Sequence, residues 1–82
     1  MIVLENIKKD GKLVHADYYY PDKPSDKGHF IYNLEKDEYV EKVFNNVDSE
    51  TEGIYGFGKT ADAVKRLAAH DKFPSTYNYM WY

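Results

Sequence analysis

The sequence predicts an α+β fold: a small antiparallel β-sheet, made of two β-hairpins and a C-terminal strand, packed against one α-helix. Three patterns predict it. Alternating apolar segments come in two pairs, each joined by a short polar turn. One later segment repeats apolar residues at helical spacing. The final residues alternate large rings with polar side chains. With 82 residues there is room for one domain, 1–82, and one modest core.

Each element has a local reason. Residues 2–7, IVLENI, read as a strand. Asp10-Gly11 is a hairpin signal, because a two-residue turn of this kind needs positive φ. Residues 13–20, LVHADYYY, return as the second strand. That turn would set Lys9 opposite Lys12, Ile7 opposite Val14 and Val3 opposite Tyr18. Val3, Ile7, Val14, Ala16 and Tyr18 would then share the core face, with Glu5 near its edge. Residues 21–28, PDKPSDKG, read as a surface loop. HFIYNL is the third strand, with Phe30, Tyr32 and Leu34 on one face. EKDE is a four-residue turn, and YVEKVF is the fourth strand, with Val40 and Phe44 alternating with Glu41 and Val43.

Residues 45–52, NNVDSETE, are polar and acidic and read as loop. GIYGFG reads as a short glycine-interrupted strand or a bulge. A helix follows, with Thr60 as N-cap and Asp62 complementing the dipole. Ala61, Val64, Leu67 and Ala68 form its apolar stripe, and Pro74 ends it. TYNYMWY is the last strand.

Composition narrows the function. The chain has no Cys, which removes disulfides, thiol nucleophiles and Cys-based zinc sites. A secreted domain of this size usually needs such staples, so a cytoplasmic setting is expected. The apolar start is too short for a signal peptide, and no run approaches the length of a membrane span. Ten Lys stand against one Arg. Together with abundant Tyr, Asp and Asn, that skew is what an A/T-rich coding genome produces, as in low-GC bacteria and their phages.

Gly53 to Thr60, GIYGFGKT, fits the pattern of a phosphate-binding loop. Such a loop needs a buried apolar strand before it, but Asp48, Glu50 and Glu52 precede it. It also needs a later strand ending in Asp beside magnesium, and none follows. What survives is a candidate anion site, Gly58, Lys59 and Thr60 at a helix N-terminus. YGFG also resembles the aromatic-glycine core of the RNA-recognition motif, which implies single-stranded nucleic acid stacked on an aromatic sheet face. The flanking Ile54 and Gly58-Lys59 depart from that core, and the net charge of −3 works against phosphate attraction.

His15, His29 and His70 have no metal-ligand spacing, and Ser25, Ser49 and Ser75 carry no nucleophile signature. Glu35, Asp37, Glu38 and Glu41 read as a solvated turn. No catalytic, cofactor or metal residue is therefore expected. The leading expectation is a non-enzymatic protein-interaction module, with a homodimer as one form. Its candidate surface is Tyr77, Tyr79, Trp81 and Tyr82, whose residue types are enriched at interfaces. The same rings would serve equally as core beneath the helix.

Overall fold

The computed structural model describes residues 1–52 and 56–80. Five strands form one antiparallel sheet: β1 (Ile2–Asp10), β2 (Leu13–Tyr19), β3 (Gly28–Asn33), β4 (Glu38–Val43) and β5 (Thr76–Tyr79). Two helices, α1 (Asn46–Thr51) and α2 (Lys59–Ala69), lie between β4 and β5 in the chain. The strand order is β4-β3-β2-β1-β5, so the chain meanders across four strands, crosses back through the helices and adds β5 beside β1. The fold is thus α+β as expected, with a second helix the sequence reading lacked. Trp81, Tyr82 and the first half of GIYGFG lie outside the described residues.

The first hairpin turns at Gly11-Lys12 rather than Asp10-Gly11. Asp10 pairs with Leu13 and Lys9 with Val14. The reason is local: Gly11 alone of these residues takes positive φ, at 61°, and glycine at the first of two loop positions satisfies a hairpin turn by itself. The expected core face also changes. A bulge between Glu5 and Lys8 shifts the register, and Asn6 sits there with φ of 53°. An extra residue reverses strand parity, so Ile2 and Leu4 share the buried face with Ile7. Glu5 points away from that face. Val3 is buried on the opposite side, between Tyr19 and Asn78 in the register.

The second hairpin loop spans residues 34–37, one earlier than expected. The Asn33 side chain sets it by accepting from the Glu35 and Lys36 amides, each at 3.0 Å. Asp37 then takes a left-handed conformation. Its carboxylate accepts from the Tyr32 phenol and pairs with Lys65 of α2 at 3.0 Å. A second bulge, at Val40, overturns the predicted alternation in β4: Tyr39 covers the core, and Val40 is 57% exposed.

Residues 45–52 are not a loop. The Asn45 side chain caps α1 by accepting from the Asp48 amide at 2.9 Å. Asp26 adds its carboxylate, which accepts from the Asn46 amide at 2.8 Å and the Val47 amide at 3.3 Å. Polar composition conceals this helix because it is short and capped from a distant loop.

Thr60 is not the N-cap of α2. It lies inside the helix, fully buried, and Gly58 occupies the cap position. The Tyr39 phenol replaces a local cap, accepting from the Ala61 amide at 3.1 Å and meeting the Thr60 hydroxyl at 2.7 Å. The buried stripe is Thr60, Ala63, Val64 and Leu67; Ala61 and Ala68 are half-buried at its margin. The helix ends before Pro74. Asp71 adopts φ of 51°, its amide donates to Ala68 and the Lys72 amide donates to Leu67, a paired closure that needs no proline.

Both helices cover one face of the sheet. Phe57, from the GFGKT segment, is the hub of the rings beneath them. Its centroid lies 4.8 Å from Phe44, 4.9 Å from Tyr39 and 5.3 Å from Tyr18. The segment that matches a phosphate loop thus works as a core anchor.

Candidate functional site

The two sheet edges differ in chemistry. β4 carries Glu38, Glu41 and Lys42, and its bulge at Val40 interrupts regular pairing. Charge and bulges are the devices that keep an edge from accepting a stray strand. β5 and the residue after it read Thr76-Tyr77-Asn78-Tyr79-Met80. That run has no charge and no proline, and its pairing with β1 has no register shift. Among the described residues no strand flanks β5 on its outer side. Met1 and Met80 stand exposed at this corner, at 39% and 53%.

Tyr77 and Tyr79 are half-buried and pack against the core cluster on the helix side. The Arg66 guanidinium lies 5.7 Å from the Tyr79 ring centroid. The two rings therefore belong partly to the core, and the strand's edge and the Met80 side chain make its exposed surface. Trp81 and Tyr82, the other members of the expected surface, lie outside the described residues.

At the start of α2 the amides of Lys59, Thr60 and Ala61 are already bonded within the fold. The Lys59 amide donates to Gly56 and the Thr60 amide to Phe57, both at 2.9 Å, and the Ala61 amide to Tyr39. The Thr60 hydroxyl donates to the Phe57 carbonyl at 2.8 Å, and Lys59 faces Asp62 at 3.8 Å. An aromatic platform for bases is also displaced. Tyr18, Tyr20, Phe30, Tyr32 and Tyr39 belong to the face the helices cover, which leaves Tyr19 as the tyrosine of the open face within β1–β4.

The open face holds a groove of about 430 Å3 lined by Asn6, Lys8, Asp10, His15, Asp17 and His29. The fold brings His15 and His29 together from neighbouring strands, which sequence spacing could not show. His29 Nδ1–H donates to Asp17 Oδ1 at 2.7 Å, and Asn6, aimed by its bulge, donates to Asp17 Oδ2 at 2.9 Å. Burial alone would raise the Asp17 pKa; the Asn6 and His29 hydrogen bonds outweigh it and hold the carboxyl below its ordinary value. His29 Nε2 lies 3.9 Å from Glu41 Oε2. Among the described residues that line the groove, none carries a hydroxyl or a thiol. Among the described residues no group of three or more His, Asp or Glu is placed to hold a metal ion.

The polar centre that sequence reading missed is buried. Asp48 is fully buried, and its Oδ2 accepts from the Tyr18 phenol at 2.7 Å and the Tyr20 phenol at 2.8 Å. Tyr18 in turn accepts from the Asn45 amide at 3.1 Å. These bonds fasten α1 to β2. The one sequence signal was Asn45 placed three residues before Asp48, the spacing of a capping residue and the third position of a helix.

Burial, reinforced by the Asp48 carboxylate, pushes the Tyr18 phenol far above the ordinary tyrosine range. Burial likewise raises Tyr32, aided by Asp37, and Tyr39. All three prefer the neutral form in the fold. Below about pH 10 both folded and unfolded chains keep these protons, and the full stability is present. Above it the unfolded chain ionises first, so stability falls as pH rises toward the folded values. An alkaline titration followed by tyrosinate absorbance and circular dichroism is expected to show these phenols ionising together with loss of the fold. Their ionisation at ordinary pH in a folded chain would contradict the burial described.

Comparison with protein-family models, curated proteins and solved structures finds no match to this chain. Among the described residues no helix is long and apolar enough to cross a membrane.

Proposed function

We propose that the chain is a non-enzymatic protein-interaction module that accepts an extended partner segment along β5. One observation carries this reading: of the two sheet edges, β4 is charged and bulged, while β5 is uncharged and regular. Strand addition draws its affinity from main-chain hydrogen bonds and its specificity from side chains that alternate across the sheet. Met80 and the half-buried Tyr77 and Tyr79 supply apolar contacts beside that edge. A cytoplasmic setting accords with the absence of Cys.

Selection of extended peptides from a displayed library, followed by amide NMR mapping, tests the proposal. Bound peptides are expected to shift the amides of residues 2–5 and 76–80. A lysine at Asn78 is expected to weaken them several-fold by guarding the edge. Peptides that map to β4 or to the open-face groove would overturn it, as would a selection yielding no binder.

A further inference from the structure

We infer that the occupant of the β5 edge is a second copy of this chain, related by a two-fold axis through Asn78; the inference rests on the docking edge proposed above. Among the described residues, every copy carries one guarded edge, β4, and one unguarded edge, β5. Pairing β4 with β5 of another copy would set Glu38, Glu41 and Lys42 beside a strand that offers no opposite charge. It would also be head-to-tail, so that each added copy exposes a fresh edge unless the rotation closes a ring. Pairing β5 with β5 joins two uncharged strands, places no like charges opposite one another and closes at two copies.

The register follows from symmetry. A two-fold axis normal to the sheet carries each face onto itself, so a residue on the axis meets its own copy. With Asn78 there, the whole run from Thr76 to Met80 is engaged. Tyr77 lies across from Tyr79 of the second copy, and Thr76 across from Met80. The Tyr77 and Tyr79 rings of one strand, 6.4 Å apart, join their copies in a two-by-two cluster of four rings on the helix side. Cross-strand aromatic pairs of this kind are stabilising. On the open face, where Asn78 is exposed, the two carboxamides can each donate and accept. An axis at Tyr77 would instead bring Pro74 opposite Met80, and proline has no amide to offer. So short a seam buries less than a standard interface, so the dimer is weak and concentration-dependent.

Sedimentation of the chain from about 10 µM to about 1 mM is expected to show monomer passing to dimer, and no larger species. Asn78→Lys and Asn78→Glu each place like charges on the axis and are expected to weaken self-association about fivefold or more. Mixed together, the two variants are expected to form a heterodimer more readily than either forms a homodimer, because Lys then faces Glu. Circular dichroism of each variant checks that this exposed position leaves the fold intact. A chain that stays monomeric throughout overturns the second-copy inference, while library peptides bound at β5 would leave the docking edge standing. A dimer that persists in Asn78→Lys, with no preference for the mixed pair, places the contact elsewhere and likewise overturns the second-copy inference.

Discussion

Replacing Gly28 with alanine is expected to remove about 3 kcal/mol of stability, at the upper end of what overpacking costs. Gly28 opens β3 opposite Tyr18, at the point where β4 hands the chain to α1. A Cβ there would stand 2.4 Å from Tyr18 Cε1, 2.5 Å from the Val43 carbonyl oxygen and 2.8 Å from the Asn45 amide nitrogen. Two of those three atoms are backbone, which cannot rotate aside. The ring is held by its bonds to Asp48 and Asn45. Relief would have to come from opening the β3–β4 end of the sheet or lifting α1. A domain of this length holds roughly 4–12 kcal/mol in total, so the loss is a large share of it. Urea unfolding measures it as a lowered midpoint at unchanged slope. Gly58→Ala is the control. Nothing lies within 4 Å of its Cβ position and its backbone is right-handed helical, so a change within about 1 kcal/mol is expected. Equal midpoints for the two variants would mean that β3, β4 and α1 do not meet this closely.

Asp48→Ala is expected to cost about 4 kcal/mol, because two buried phenols lose their shared acceptor and each such loss is worth about 1–3 kcal/mol. The penalty comes from stranding donors more than from removing attractive bonds. That distinction has a measurable consequence. Placed in a Tyr18→Phe background, the same Asp48→Ala change strands one donor fewer and should cost about 1–2 kcal/mol less. A double-mutant cycle by urea unfolding reads the difference. Strict additivity would show that Tyr18 and Asp48 do not share the bond. Both variants should also lower the affinity of any β5 partner only through the unfolded fraction, since the cluster lies on the covered side of the sheet.

Much of the strand and helix content was legible because side-chain period reports burial directly. β2 alternates without interruption, so Val14, Ala16 and Tyr18 were assignable to the core from spacing alone. β1 misled for a specific reason. The bulge at Asn6 changes parity in mid-strand, and neither Asn nor its neighbours mark a bulge in the way glycine would. α1 was illegible because two of its three side-chain capping bonds come from Asp26, on another loop. Thr60 misled because it has the chemistry of a cap, whereas the phenol that caps α2 belongs to β4. For the candidate site, the residue types of Tyr77 and Tyr79 were visible in advance. Which side of the sheet their rings join was not.

By itself the sequence determined the antiparallel sheet, its two hairpins, the main helix and the absence of thiol chemistry. Periodicity and composition are properties of neighbours along the chain, and they need no fold to be read. Only the tertiary structure decided which strands became edges, which face the helices cover and which groups meet across it. Asp48 with Tyr18 and Tyr20, Phe57 at the ring hub, and uncharged β5 at the border of the sheet all depend on contacts between distant segments. Those contacts are selected by the simultaneous burial of apolar surface and pairing of buried polar atoms, a condition on the whole fold that no local pattern encodes.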